Sequence, residues 1–251
     1  MMKKMLLLAF VVVWACTAAG TVRPEVMTAL ETMSLYVPCD DLETGDVPPS
    51  PVEVKVEFGL SDAELLQAIV ELSMKYEVAD TNENSRMCRE TAISWIGEFG
   101  NTNNLGHLAV IMTNSADYAQ QSAIGASLCI TKHLPDLIPL ARSIVTNSTV
   151  YSLGLRRWTQ VILHNYCDEG HSDSYIDDPA QHARIAAFFI ERAALEHDRP
   201  LGADYMAYTL NPWYRHSQQR RDNLAALRPP GLTGKPAELY DAAQRDAAQE
   251  E

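Results

Sequence analysis

LGHLAVIMTNSADY at residues 105–118 and IPLARSIVTNSTVY at residues 138–151 are the stretches on which the fold turns. Ile111, Thr113, Asn114, Ser115 and Tyr118 recur as Ile144, Thr146, Asn147, Ser148 and Tyr151, 33 positions later. Each stretch predicts a helix, a Thr-Asn-Ser turn whose side chains can cap, and a second helix. A two-helix unit of this size cannot bury its apolar face alone, so it must stack on neighbours.

Helical signals continue on both sides. The capping box Ser61-x-x-Glu64 precedes Leu65, Ile69, Leu72 and Tyr76 at helical spacing. Asn84-Ser85 is expected to cap a second helix that ends at Gly100 in a left-handed stop. A third is expected from Leu105 to about Met112, and a fourth after Ser115. Pro135 fits the first turn of a fifth, Ser148 is expected to cap a sixth ending near Cys167, and Pro179 to His197 reads as a seventh. Shorter helices are predicted at 201–210 and 215–227, with a polar amphipathic tail over 236–250. Upstream, Thr21 to Val37 fits one short helix, and Pro38 to Pro51 reads as a Pro-rich linker. Val52 to Phe58 alternates apolar and polar residues strictly, which predicts a lone strand. The predicted division is a 20–60 arm, a 61–228 helical domain and a 229–251 tail.

CRETAISWIG at residues 88–97 resembles the second helix of a HEAT-like (armadillo-type) repeat. An apolar residue and Arg89 are followed by small residues and a terminal apolar-Gly step. Glu98-Phe99-Gly100-Asn101, then Leu105 and Leu108, fit the next turn and first helix, and the likeness spans about residues 61–167. In the second unit Ala119 stands where the arginine belongs. The resemblance implies an all-α fold, an α-α superhelix of stacked helix pairs whose concave face binds a protein or peptide. It implies a turn-supporting role for Arg89 and carries over no catalytic residue.

The N-terminus predicts export. Lys3-Lys4 forms a positive n-region, and the apolar run from Met5 to Ala15 is too short for a permanent membrane span. Residues 1–19 read as a signal peptide cleaved after Ala19. A second reading makes Cys16 a lipidation candidate, because Val13-Trp14-Ala15-Cys16 resembles a bacterial lipobox. The periplasm, the cell surface and secretion all fit, with the membrane touched only through a lipid on Cys16. The formal charge of −13 becomes −15 once Lys3 and Lys4 leave. Nucleic-acid binding needs clustered cations to displace counterions, so this charge argues against it. Beyond Cys16, Cys39, Cys88, Cys129 and Cys167 could form two disulfides in three connectivities. Cys88 and Cys129 sit among apolar residues and are expected as buried free thiols.

Candidate chemistry is sparse. His164, Cys167, His171 and Asp173 are metal-ligating residue types in one stretch, extended by Asp177 and Asp178. His164 and Cys167 would be neighbours on a helix face, but their spacing matches no zinc pattern, and an acidic solvated loop is the plainer expectation. A metal-binding protein or metal-dependent enzyme centred there is one alternative; an envelope lipoprotein tethered through Cys16 is another. No Gly-x-Ser-x-Gly, His-Glu-x-x-His or phosphate-loop motif occurs. No cofactor and no enzymatic activity is expected. The leading reading is a non-catalytic exported scaffold contacting a partner through Tyr118, Tyr151, Trp213 and Tyr214.

Overall fold

The computed structural model describes residues 22–35, 50–76, 82–115, 117–168, 171 and 174–195, with five isolated positions between 233 and 241. The signal segment with Cys16, the linker with Cys39, Asp173, the helices predicted beyond residue 200 with Trp213 and Tyr214, and nearly all of the C-terminal tail lie outside these residues. Among the described residues there are nine α-helices and no strand. They are α1 (Pro24–Ser34), α2 (Pro51–Phe58), α3 (Asp62–Lys75), α4 (Glu83–Phe99), α5 (Leu105–Asn114), α6 (Asp117–Thr131), α7 (Leu137–Val145), α8 (Leu153–Asn165) and α9 (Pro179–Leu195). The fold is all-α, and none of these helices is long and apolar enough to cross a membrane.

The expected strand at 52–58 is a helix. Ser50 caps it through its hydroxyl, Pro51 occupies the first turn, and Gly59 closes it at φ 63°, where a side chain would strain the backbone. Of its three valines only Val54 is buried, at 2% exposure, while Val52 (45%) and Val56 (76%) face outward. A lone strand leaves its backbone groups without a partner, whereas a capped helix satisfies them locally. The alternation was real but the caps outweigh it.

Residues 1–127 and 128–251 form two compact units. In the first, α3 buries Leu65, Ala68, Ile69 and Leu72 along one stripe, and α4 buries Cys88, Ala92, Ile93 and Ile96. These stripes pack against one another, and each full side-chain burial contributes about 1.5–3 kcal/mol. The α1 helix closes over them: the Ser34 hydroxyl donates to Cys88 Sγ at 2.9 Å, and the Thr91 hydroxyl donates to the Ser34 carbonyl at 3.4 Å. In the second unit α7 buries Leu137, Ala141, Ile144 and Val145 and packs on α8 and α9. Cys88 and Cys167 are buried, and Cys129 is half-buried.

Several helix ends differ from the sequence expectation. Asn82, not Asn84-Ser85, caps α4, and the two expected caps are the donors to its side-chain oxygen at 2.9 and 3.4 Å. Gly100 is extended at φ −84° rather than left-handed. Pro135 precedes α7 instead of entering it, and α8 is capped by Ser152 rather than Ser148. Asp178, expected in an acidic loop, accepts from the Ala180 N–H at 2.9 Å and so caps α9.

The capping box at Ser61 is present. The Glu64 carboxylate accepts from the Ser61 N–H at 2.8 Å and from its hydroxyl at 2.7 Å, while the Ser61 oxygen accepts from the Glu64 N–H at 3.3 Å. These bonds to the ionised form hold the Glu64 carboxyl below the usual glutamate range, the backbone donor contributing most. Its stabilisation is complete above the pH at which glutamate ordinarily titrates and is lost as pH falls through the lowered folded value. Glu64→Gln should therefore flatten the acid side of a thermal-midpoint-against-pH curve. Ser61→Ala should cost about 1 kcal/mol in denaturant unfolding at neutral pH.

Candidate functional site

The face of α9 that meets α7 carries a concave site in the second unit. Arg184, Ala187, Phe188 and Glu191 fall at i, i+3, i+4 and i+7 and so project from one side of α9. Ile138 and Arg142, one turn apart on α7, face them, and Pro135 closes the end. The cavity is about 200 Å³. Its floor is apolar (Ile138, Ala187, Phe188) and its rim is charged.

The rim charges are held differently. Arg142 and Glu191 form a two-pronged ion pair, one prong spanning 2.7 Å from Nη2 to Oε2, and the Arg142 guanidinium lies 5.4 Å from the Phe188 ring centre. That cation is already neutralised. Arg184 is not paired in this way: its Nη1 donates only to the Gln181 side-chain oxygen at 3.4 Å, and among the described residues no carboxylate joins it. Gln181 is buried and fixed, because its amide nitrogen donates to the Lys132 carbonyl at 2.9 Å and the Leu134 carbonyl at 3.1 Å. The turn before α7 thus aims the oxygen that steadies Arg184.

The residues singled out from sequence are dispersed. Tyr118 is 60% exposed on α6, with the Arg86 guanidinium 5.1 Å from its ring centre. Tyr151 is a core residue at 8% exposure, and its burial raises the phenol pKa. Arg89 is buried in α4 beside Glu90, whose carboxyl pKa is raised by burial, and among the described residues the Arg89 Nε has no hydrogen-bond partner. The two aligned segments agree as far as the threonine. The Thr113 hydroxyl donates to the Ala109 carbonyl at 3.0 Å and the Thr146 hydroxyl to the Arg142 carbonyl at 2.8 Å. They then diverge, since α6 starts at Asp117 directly after α5, whereas a turn organised by the Asn147 side chain precedes α8.

At the metal candidates, α8 ends at Asn165, so Cys167 falls in the following turn and points into the core. Asp168 lies 3.8 Å from His164 and 3.4 Å from the exposed His171. Burial lowers the His164 pKa, which favours its neutral ring, and the Asp168 charge opposes this more weakly. Among the described residues no three His, Cys, Asp or Glu groups are placed to hold a metal. The chain matches no protein-family model, no curated protein and no solved structure.

Sequence reading missed the rim of the cavity. The α9 half was visible as a one-sided i, i+3, i+4, i+7 pattern. The α7 half was not, because Arg142 and Glu191 are 49 positions apart and only tertiary packing joins them.

Proposed function

We propose that this chain is a non-catalytic, exported helical scaffold that binds a protein or peptide partner through the cavity between α7 and α9. The observation that carries this reading is the cavity itself: about 200 Å³, apolar below and charged at the rim. Sites that enclose a whole small molecule run from roughly 300 to 1,000 Å³. A smaller recess with an aromatic floor suits a single anchoring side chain, the usual centre of a protein–protein contact. Export rests on residues 1–19 and the HEAT-like superhelix on the 88–97 segment; both belong to the proposal. Tyr118, exposed beside Arg86, is a second contact in the first unit.

The test is co-purification from the native compartment under mild cross-linking, with wild type beside Ile138→Glu, which places a carboxylate on the cavity floor. A partner recovered with wild type and reduced at least about tenfold with the variant, a loss of about 1.4 kcal/mol, is the expected result. Recovery of no partner, or equal recovery from both, contradicts the proposal. Mass spectrometry of the mature N-terminus checks export, with Gly20 or a lipidated Cys16 as the first residue.

A further inference from the structure

Arg89 is a cation packed into the first unit. It is 7% exposed on α4 with its Nε sealed from solvent, and among the described residues it forms no hydrogen bond and no ion pair. The turn-supporting role implied by the repeat resemblance therefore has no bond behind it. Its two terminal nitrogens are neither bonded nor sealed, so they lie at the bottom of a narrow opening to solvent. A charge buried without a bonded partner is costly to the fold, which makes it a place to look for a ligand. We infer that Arg89 receives the carboxylate of a glutamate or aspartate side chain supplied by a partner protein. This deepens the scaffold reading, on which it rests, by naming the chemistry that the first unit recognises beside Tyr118.

The neighbouring charges select the ligand. Arg86, one helical turn before Arg89 on the same side of α4, is engaged by two glutamates of its own helix. Its Nε lies 3.6 Å from Glu90 Oε1 and its Nη2 lies 4.0 Å from Glu83 Oε1. Both acids are thus turned to Arg86, and Arg89 is left with terminal donors to offer. A guanidinium presents those donors as a planar fork, which matches one carboxylate. A dianion would bring a second negative charge up to Glu90 with no second unengaged cation to meet it. The narrow opening sets the shape. A chain terminus carries a side chain and an amide on the carbon next to its carboxylate, whereas a glutamate carboxylate enters on a slim methylene stem. The Arg86 guanidinium also lies 5.1 Å from the ring centre of Tyr118, which is 60% exposed. The surface around the opening therefore offers an aromatic contact for the residues that flank the acid.

The experiment is a proton–nitrogen NMR titration of the full wild-type chain, labelled at its arginine side chains. The sealed Nε–H of Arg89 is the reporter, and no variant is needed, so no folding defect can obscure the answer. Four probes are added separately at constant ionic strength and neutral pH. They are glutamate blocked as its acetyl and methylamide derivative, glutamine with the same blocks, N-acetylalanine as a chain terminus, and methyl phosphate as a largely dianionic group. Blocked glutamate should shift the Arg89 signal saturably, and at least about tenfold more tightly than each of the other three probes. It should leave the remaining arginines outside the α4 cluster unmoved. An unmoved Arg89, shifts of equal size at all arginines, or equal or tighter binding of glutamine, N-acetylalanine or methyl phosphate each overturns the inference. The titration reads one residue of the first unit, whereas cross-linking with Ile138→Glu reads the cavity of the second. A cavity-dependent partner recovered alongside a silent Arg89 would remove this inference and leave the scaffold reading standing.

Discussion

Phe189→Ala is expected to lower the stability of the protein by about 3–5 kcal/mol, measured by denaturant unfolding followed by circular dichroism. Phe189 is fully buried in α9 and its ring packs in a tilted arrangement with Phe188, the centroids 6.0 Å apart. Truncation removes the transfer energy of the ring and leaves a void that helix-anchored neighbours fill only in part. A domain's whole stability is about 5–15 kcal/mol, so a loss of this size takes a large share of it. The effect should also reach the cavity, because Phe188 supplies its floor and α9 supplies four of its seven lining residues. A loss under about 1 kcal/mol, within the range of surface substitutions, would mean that α9 is not packed as described.

The second large effect is expected at Gly97, where α4 runs against α6. A Cβ built there would stand 2.7 Å from the Ala126 Cα and 3.1 Å from its Cβ. Replacing glycine by alanine in a helix interior ordinarily gains about 1 kcal/mol. Here overpacking should outweigh that gain by costing about 1–3 kcal/mol, because the obstructing atom is backbone and cannot rotate away. Gly97→Val, bulkier and β-branched, should cost about 3 kcal/mol or more. Ala126→Gly should not rescue either variant, since the closer clash is with the Cα that glycine retains. Thermal melts of the three single variants and the two double variants decide this. A melting temperature for Gly97→Ala above wild type would place the helices farther apart than the structure has them.

Much of the fold was legible because helices announce themselves locally. The stripe Leu65, Ile69, Leu72 and the Ser61–Glu64 box were read from spacing, and both are present. The apolar-Gly step at Ile96-Gly97 was visible too, although what it serves, an approach to Ala126, was not. Errors gathered where two local signals competed. At residues 52–58 strict alternation pointed to a strand, while Ser50, Pro51 and Gly59 bracketed a helix. At 146–152 two serines could each have capped α8, and only the chain path made Ser152 the cap. The candidate site was the least legible part. Arg184, Phe188 and Glu191 look like one side of an ordinary amphipathic helix until Arg142 is placed opposite them by packing of distant segments. Tyr118 and Tyr151 illustrate the converse: aligned in sequence, one is exposed on a helix and the other buried in a turn.

The most direct test of the central claim is site-specific photo-cross-linking in the native compartment. A photoreactive side chain at Pro135, on the exposed rim of the cavity, is compared with one at Ser143, exposed on α7 but not lining the cavity, and one at Glu57 on α2. The expected result is a discrete polypeptide adduct from position 135, absent from positions 143 and 57 and lost when Arg184 is replaced by glutamate. Adducts of equal yield from all three positions, or none from position 135, would contradict it.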